Sequence, residues 1–202
     1  MNDQSNPLNL NIPSPDQLGV TCILDSGTPL HAFEDYIESF SDHINFIKFG
    51  WGTAYTVPKL IRKKIEILKR HSIDFHFGGS FFEKSLLNDK VDQYFDYCKE
   101  AGCKWVEISN GTIEITNEEK CFYIEKASKH FSVLSEVGFK ESQKSLELNP
   151  AKWIKYIKQD LNAGAAKVIT EARESGKSGI CRSDGEVRFG LISEILDSDI
   201  SV

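Results

Sequence analysis

The chain has 202 residues, which suits one domain with a sizeable core. Hydrophobic residues make up 40% and charged residues 27%, a composition that argues against a disordered, collagen-like or coiled-coil chain. The net charge is −6 without a basic stripe, and no apolar run approaches the ~18 residues of a membrane helix, so neither nucleic acid nor membrane is an expected partner.

The cysteines and the first residues predict a cytoplasmic protein. The number of cysteines is five, which is odd, and no CxxC pair occurs, so a disulfide scaffold or zinc ribbon is not indicated. The start of the chain lacks the basic end and apolar stretch of a signal peptide. Residues 1–18 are polar and rich in Asn and Pro, which predicts a lead-in segment that is either mobile or bound to the surface of the domain.

From residue 19 onward, short apolar runs alternate with stretches of helical periodicity. The predicted strands are 19–25, 44–49, 73–77, 104–108, 132–137 and 167–171. The predicted helices are 30–42, 58–71, 85–101, 117–130, 150–163 and 186–197. Pro58 and Pro150 suit the first turn of a helix, and Gly102 and Gly164 suit the left-handed position after one.

Six βα units in a row predict an α/β fold with parallel strands, either a (βα)8 TIM barrel or an open doubly wound sheet. Polar residues follow nearly every strand and no GxGxxG opens the first helix, so the barrel is favoured. A barrel needs eight units. We therefore expect residues 19–202 to form a single, incomplete barrel domain from which the last two units are missing. The alternatives are that a partner chain supplies these units or that the sheet stays open. Its unpaired strand edges predict a homo-oligomer, or cover by the N-terminal segment.

Charged residues stand at the carboxyl ends of five predicted strands: Asp25, Lys48, Glu107, Glu136 and Glu171. The remaining strand ends in Gly78, Gly79 and Ser80. Inward-facing strand residues of a parallel sheet are normally apolar, and an unpaired buried charge is costly. A ring of acids with one lysine is stable if it pairs internally or holds a cation. Mg²⁺ fits best, because it prefers carboxylate and water oxygens and leaves positions open for an anionic substrate.

Structural interpretations of the same residues remain open. Asp25 also fits a turn residue, Lys48 an edge lysine, and the two glycines a tight βα turn instead of a phosphate cradle. Each glutamate alone could be structural, although the same position in three successive units favours a shared role. Among the five histidines only His76 is a candidate, and a structural role is favoured for it. Arg173 fits either a local ion pair or a fork that grips a phosphate or carboxylate.

The sequence resembles the phosphosulfolactate synthase family over roughly residues 18–197. The segments that carry the resemblance are LDSG at 24–27, FIKFGWGTA at 46–54, FGGSFFE at 77–83, VEISNGT at 106–112, LSEVGFK at 134–140 and DLNAGAAKVITEARESG at 160–176. The resemblance implies a (βα)8 barrel that adds sulfite to phosphoenolpyruvate with Mg²⁺, giving (2R)-phospho-3-sulfolactate, an early intermediate of coenzyme M synthesis in methanogens. Asn110 departs from the family, in which many members have Asp.

The resemblance also implies roles for residues. Lys140 is the first choice as the acid that protonates the carbanion, and Lys48 is the second or else neutralises phosphate or sulfite. Arg173, with the N–H groups of Ser175 and Gly176, would bind an anionic group. The expected metal ligands are Glu107, Glu136 and Glu171. The remaining expected substrate-binding residues are Asp25, Gly78, Gly79 and Ser109.

Two other functions remain open on the sequence. One is a non-catalytic or stress-associated relative that uses the fold as an interaction surface. The other is a different barrel lyase or aldolase acting on a small phosphorylated acid, for which a lysine Schiff base would be the signature.

Overall fold

A computed structural model describes residues 19–141, 145, 148–173 and 175–200. Within these residues the strands are β1 (Cys22–Asp25), β2 (Phe46–Phe49), β3 (Asp74–Phe77), β4 (Trp105–Ile108), β5 (Ser132–Val137) and β6 (Ala165–Thr170). The α-helices are α1 (Leu30–Phe40), α2 (Thr53–Thr56), α3 (Pro58–Arg70), α4 (Gly79–Leu86), α5 (Val91–Ala101), α6 (Asn117–Ser128), α7 (Pro150–Asn162) and α8 (Phe189–Leu196). The predicted lead-in, 1–18, lies outside the described residues.

The six strands form two three-stranded parallel sheets in chain order, β1-β2-β3 and β4-β5-β6, and β3 contacts β4. The predicted α/β fold with six parallel βα units is therefore confirmed. In the first sheet Lys48 lies beside His76, and in the second Glu107 lies beside Leu134. Paired residues on parallel strands lie on the same face of a sheet. Lys48 therefore shares a face with His76, and Glu107 shares a face with Leu134.

Local sequence explains where several helices begin and end. Pro58 and Pro150 are the first residues of α3 and α7, where a missing N–H costs nothing. Thr116 and Glu119 form a reciprocal capping box at the start of α6. Gly102 ends α5 with a φ of 90°, in the left-handed region that a side chain would disfavour. These four helix-end features set where the helices begin or end, and therefore how long the loops between strands and helices are.

The prediction of one helix over 85–101 was wrong. The chain instead forms α4 directly after β3 and then α5, with a break between Leu86 and Val91. Asp89 occupies the break with a φ of 54°, a conformation that Asp tolerates better than most residues. Consequently Gly79, which suits a turn, is the first residue of a helix and lies against the end of the sheet.

Burial differs between the middle and the outer strands. On β3 and β4 the side chains of His76 and Glu107 are buried, whereas Leu24 on β1 is 39% exposed and Lys167 on β6 is also exposed. Leu24 is in register with the half-buried Lys48, and Lys167 with the buried Leu134, so each lies on the same face as its partner. Within the described residues this face is therefore closed in the middle and open at its two edges.

Two apolar clusters stabilise the fold. The larger cluster packs the helices from α1 through α6 against both sheets. It includes the contacting rings of Phe49, Phe75 and Phe77. The smaller one packs α7 and α8 together around Trp153 and Leu191.

In the part of the chain that is described, no helix is long and apolar enough to cross a membrane.

Candidate active site

Lys48 on β2 and Glu107 on β4 form the central ion pair of the site. The Lys48 ammonium lies 2.9 Å from each oxygen of the Glu107 carboxylate. Burial lowers the pKa of Lys48, but attraction to Glu107 and Glu136 outweighs burial and raises that pKa. Lys48 is therefore held in its charged form, at the strand end where the sequence predicted it.

Glu107 accepts two further hydrogen bonds. The N–H of Gly79 donates to Oε1 at 2.7 Å, and His76 Nε2 lies 3.2 Å from Oε2. Burial raises the pKa of Glu107, but Lys48 and His76 together lower it to about 2. The Glu107 carboxylate is therefore a fixed anion, and the Gly79 N–H is directed to a protein carboxylate in this structure.

Glu136, at the end of β5, lies in a different environment. Its Oε2 is 3.9 Å from the Lys48 ammonium, while its buried Oε1 has no hydrogen-bond partner among the described residues. Burial and the negative charges of Glu107 and Glu171 raise the pKa of Glu136 to about 8. This carboxyl group is therefore the one in the site that would gain most from a bound cation or proton.

The glycines around Lys48 keep space for its side chain. A Cβ on Gly78 would lie 3.1 Å from Lys48 Cε, which is tighter than an ordinary contact. After β2, Trp51 has a φ of 55° and is 66% exposed. A bulky residue in the left-handed region is uncommon and marks a constrained turn. Lys48 thus lies against Gly78 and just before a constrained turn in the chain.

Lys140 and Arg173 lie beside the carboxylates. Lys140 Nζ donates to the Ser80 hydroxyl at 3.3 Å, and Arg173 Nη1 donates to the main-chain oxygen of Lys140 at 3.3 Å. Glu171 follows β6 and accepts the Arg173 N–H at 2.5 Å. Both cations are thus within reach of the region in front of Glu136.

Ser175 and Gly176 form a turn after Arg173. The Gly176 N–H donates to the Arg173 carbonyl at 3.1 Å, so this N–H is used within the turn. A Cβ on Gly176 would meet nothing within 4 Å, which shows that the turn borders open space. Their role in binding an anion stays a prediction.

Asp25 and Ser109 lie beneath the site surface. Asp25 is buried and forms an ion pair at 2.5 Å with Lys64, a buried lysine of α3. Its other oxygen accepts the N–H groups of Gly27 and Thr28. Ser109 is fully buried and donates its hydroxyl to Glu83. The contacts of both residues are with protein groups.

A second buried ion pair supports Glu136 from behind. Lys120 of α6 lies 2.7 Å from Asp160 of α7, and its ammonium donates to the main-chain oxygen of Glu136 at 3.0 Å. Ser135 and Asn117 also donate to Asp160. Sequence analysis missed this pair because lysine and aspartate on amphipathic helices normally indicate a solvated face.

A cavity of about 900 Å³ opens beside the loop that packs against Glu136. Three cations and three acids are among the residues that line it: Lys140, Lys152, Arg173, Glu114, Glu119 and Glu141. Such a volume is ample for a small phosphorylated acid, and Lys140 and Arg173 are the cations nearest the strand ends. Among the described residues no three His, Cys, Asp or Glu side chains are arranged to hold a metal ion by themselves.

Comparison with known structures supports a TIM-barrel-like α/β fold. Deoxyribose phosphate aldolase from Aeropyrum pernix superimposes with a TM-score of 0.52 and 12% identity, over 78% of this chain and 65% of the aldolase. The carboxyl transferase domain of pyruvate carboxylase from Rhizobium etli superimposes with a TM-score of 0.56 and 7% identity, over 89% of this chain and 31% of that protein. At these identities the likeness concerns the fold alone.

Sequence comparison is more specific. The phosphosulfolactate synthase of Bacillus subtilis (strain 168) is 46% identical over 202 residues, which are 100% of this chain and 80% of that protein. The phosphosulfolactate synthase of Methanothermobacter thermautotrophicus is 39% identical over 186 residues, 91% of this chain and 72% of that protein. Residues 11–201 match the family described as (2R)-phospho-3-sulfolactate synthase (ComA). The chain belongs to the phosphosulfolactate synthase family of lyases.

Proposed function

We propose that this chain adds sulfite to phosphoenolpyruvate and forms (2R)-phospho-3-sulfolactate. The observation that carries the proposal is the convergence of Lys48, Glu136 and Lys140 at the strand ends, beside a cavity that Lys140 and Arg173 line, in a chain of this family. The five cysteines, all within the described residues, are free thiols, which supports a reducing location such as the cytoplasm.

The reaction forms one carbon–sulfur bond. The sulfur lone pair of sulfite attacks the methylene carbon of phosphoenolpyruvate, and the π electrons of the double bond move to the neighbouring carbon and its carboxylate. Lys140 then donates a proton to that carbon as the general acid. Its contact with the Ser80 hydroxyl supports this role, because a hydroxyl oxygen holds the ammonium without neutralising it.

The remaining cations would bind the substrate's charges. Arg173 presents a planar fork of donors, which suits a phosphate or carboxylate, next to Ser175 and Gly176. Lys48 provides a second positive charge, kept in place by Glu107. For Asp25 and Ser109 the contacts with Lys64 and Glu83 support an indirect part in substrate binding, through the strand ends that they hold.

We also propose Mg²⁺ as the cofactor. Glu136, flanked by Glu107 and Glu171, would hold the ion, with water and substrate oxygens at the other positions. The support is the buried Oε1 of Glu136, which has no hydrogen-bond partner in the described part of the chain, and the raised pKa that burial and repulsion from Glu107 and Glu171 give it. When bound, the ion supplies Lewis-acid stabilisation of the negative charge that develops on the substrate.

The finer architecture is likewise a proposal. The open edges at β1 and β6 support a (βα)8 barrel in which two further units cover Leu24 and Lys167. Those units, or a second copy in a homo-oligomer, would remove the exposed strand edges. Size measurement by light scattering of the 202-residue chain distinguishes a monomer from an oligomer.

The assay combines the chain with phosphoenolpyruvate, sulfite and Mg²⁺ and follows product formation by ³¹P NMR and mass spectrometry. We expect turnover that Lys140→Ala lowers by about 100-fold or more. Lys129→Ala, on the exposed end of α6, is the matched control and should retain full turnover.

Absence of the product from the wild-type chain would contradict the proposed reaction. Borohydride trapping of a lysine adduct with a keto acid would instead support the aldolase alternative. Turnover that is unaffected by Lys140→Ala would remove that residue from the acid role.

A further inference from the structure

Helix α4 contacts three separate parts of the site. Its first residue, Gly79, donates to Glu107, and the next, Ser80, accepts from Lys140. One turn later, Glu83 faces the loop that follows β4. Residues three and four apart lie on one face of a helix, so a single face of α4 touches the ends of two neighbouring βα units, those of β4 and β5.

Glu83 is 1% exposed and accepts hydrogen bonds from four donors. Its Oε1 accepts the Ser109 hydroxyl and the Gly111 N–H, the latter at 3.1 Å. Its Oε2 accepts both the N–H of Thr112, at 2.9 Å, and the hydroxyl of Thr112. Hydrogen bonds to a carboxylate are roughly twice as strong as neutral ones, so these four define the path of the loop.

The loop held in this way forms a wall of the cavity. Asn110, Gly111 and Thr112 all line it. A Cβ on Gly111 would lie 3.3 Å from Glu136 Oε1 and 3.4 Å from the Lys140 side chain, so the loop backbone packs against both groups. A loop displaced by even 1 Å would change the space in front of Glu136 and Lys140.

We propose that Glu83 is a positioning residue that fixes the Ser109–Thr112 loop as a wall of the substrate cavity and thereby sets the affinity for the phosphorylated substrate. The identity of that substrate rests on the proposed function. The holding of the loop is independent of it, because it follows from the hydrogen bonds of Glu83 alone.

The charge of Glu83 is essential to this role. A glutamine at this position has one acceptor oxygen and one donor group. Whichever way its amide turns, the NH₂ faces the N–H of either Gly111 or Thr112, and two donors then oppose each other. Glu83→Gln therefore keeps the size of the side chain but releases one end of the loop.

The first test measures amide hydrogen exchange of the full chain. In Glu83→Gln we expect the amides of Gly111 and Thr112 to exchange about tenfold faster or more, with those inside α6 unchanged. Glu66→Gln, an exposed glutamate of α3, is the matched control and should exchange like the wild type. Unchanged exchange at both amides would overturn the proposal.

The second test separates positioning from stability. We expect Glu83→Gln to raise the KM for phosphoenolpyruvate about tenfold while kcat stays within about threefold, since loss of substrate binding raises KM. A variant that is only less well folded would lower the maximal rate and leave KM unchanged, and that result would contradict the proposal.

Thr112→Val removes one donor and keeps Glu83, and it provides the answer if Glu83→Gln does not fold. We expect faster exchange at residues 111 and 112 and a KM raised about threefold, since one of the four hydrogen bonds is lost. Wild-type protein without turnover would defeat the proposed function, while the exchange result would still decide the role of Glu83. If the amides of residues 111 and 112 exchange as slowly as in the wild type in every variant that folds, the positioning role of Glu83 is refuted.

Discussion

The ends of β4 and β5 show how two buried glutamates, one strand apart, acquire opposite properties. Glu107 is 1% exposed and Glu136 is 4% exposed, so burial alone does not distinguish them. Glu107 has Lys48, His76 and the Gly79 N–H as partners, and its pKa falls to about 2. Glu136 has a distant lysine and an unpartnered oxygen, and its pKa rises to about 8.

Burial raises the pKa of both glutamates, so the difference teaches that the charges and hydrogen bonds next to each carboxyl group decide its final state. At neutral pH Glu107 is an anion whose charge is already used to hold Lys48. Glu136 retains its proton up to about pH 8 unless a cation arrives. The site therefore combines one fixed charge with one that depends on what is bound.

Removal of the fixed charge should have the largest effect. Glu107→Gln leaves the half-buried Lys48 beside a neutral group, and we expect the free energy of unfolding to fall by about 3 kcal/mol, the lower end of the cost of breaking a buried pair. Urea unfolding at pH 7 measures it. An unchanged midpoint would show that the Lys48–Glu107 pair is not needed for stability.

Gly79→Ala should rank next, because it disturbs Glu107 without altering a charge. The added Cβ would overlap the Ser109 hydroxyl and lie 2.9 Å from Glu107 Oε1, so the helix start must move away. We expect a loss of about 2 kcal/mol, typical of overpacking, measured by urea unfolding. Gly190→Ala on α8, where a Cβ meets nothing within 4 Å, is the control.

Glu136→Gln should raise the free energy of unfolding, whereas the two preceding variants lower it. The folded pKa of Glu136 is raised to about 8, so the folded state holds a proton that the unfolded state loses, and stability falls as pH rises between about 4.5 and 8. The variant removes this loss. We expect it to be more stable than the wild type by about 1 kcal/mol or more at pH 8, and by less at pH 5.

Thermal unfolding of both proteins across this pH range provides the measurement. If the two proteins differ by the same amount at pH 5 and pH 8, the raised pKa of Glu136 is refuted. The lowered pKa of Glu107 acts at the other end, since its stabilising contribution is present above about pH 4.5 and is lost as pH falls towards 2.

The smallest effect is expected from Gly111→Ala. Its Cβ would approach Glu136 Oε1 to 3.3 Å, and Glu107 is not among its nearest contacts, so of these two glutamates the change acts on Glu136. We expect less than about 1 kcal/mol of stability loss, since the loop can give by a few tenths of an ångström. NMR titration of the two carboxyl carbons should show a shift in the pKa of Glu136 alone.

Sequence patterns were sufficient to place the charged strand ends. Lys48, Glu107 and Glu136 each follow an apolar run, and because parallel strands end at one edge, their proximity could be predicted. The start of α4 could not be predicted from the sequence. Gly79 stands in a turn-like sequence, and the helix begins there because its N–H donates to Glu107.

The partners of the buried charged residues could also not be predicted from the sequence. Asp25 pairs with Lys64 and Glu83 binds a loop 26 to 29 residues away, and no spacing rule selects such pairs from the other lysines and loops. They depend on how helices pack on the sheet, which is a property of the assembled fold. Composition and periodicity indicate only that such a charge needs a partner.

The constrained turn after β2 has a practical consequence. Trp51, three residues beyond Lys48, is 66% exposed, whereas Trp153 is fully enclosed and Trp105 on β4 is partly buried. The three indole rings therefore differ in their access to water. A soluble quencher should reach Trp51 first, which makes its fluorescence a label-free report on the turn that follows β2.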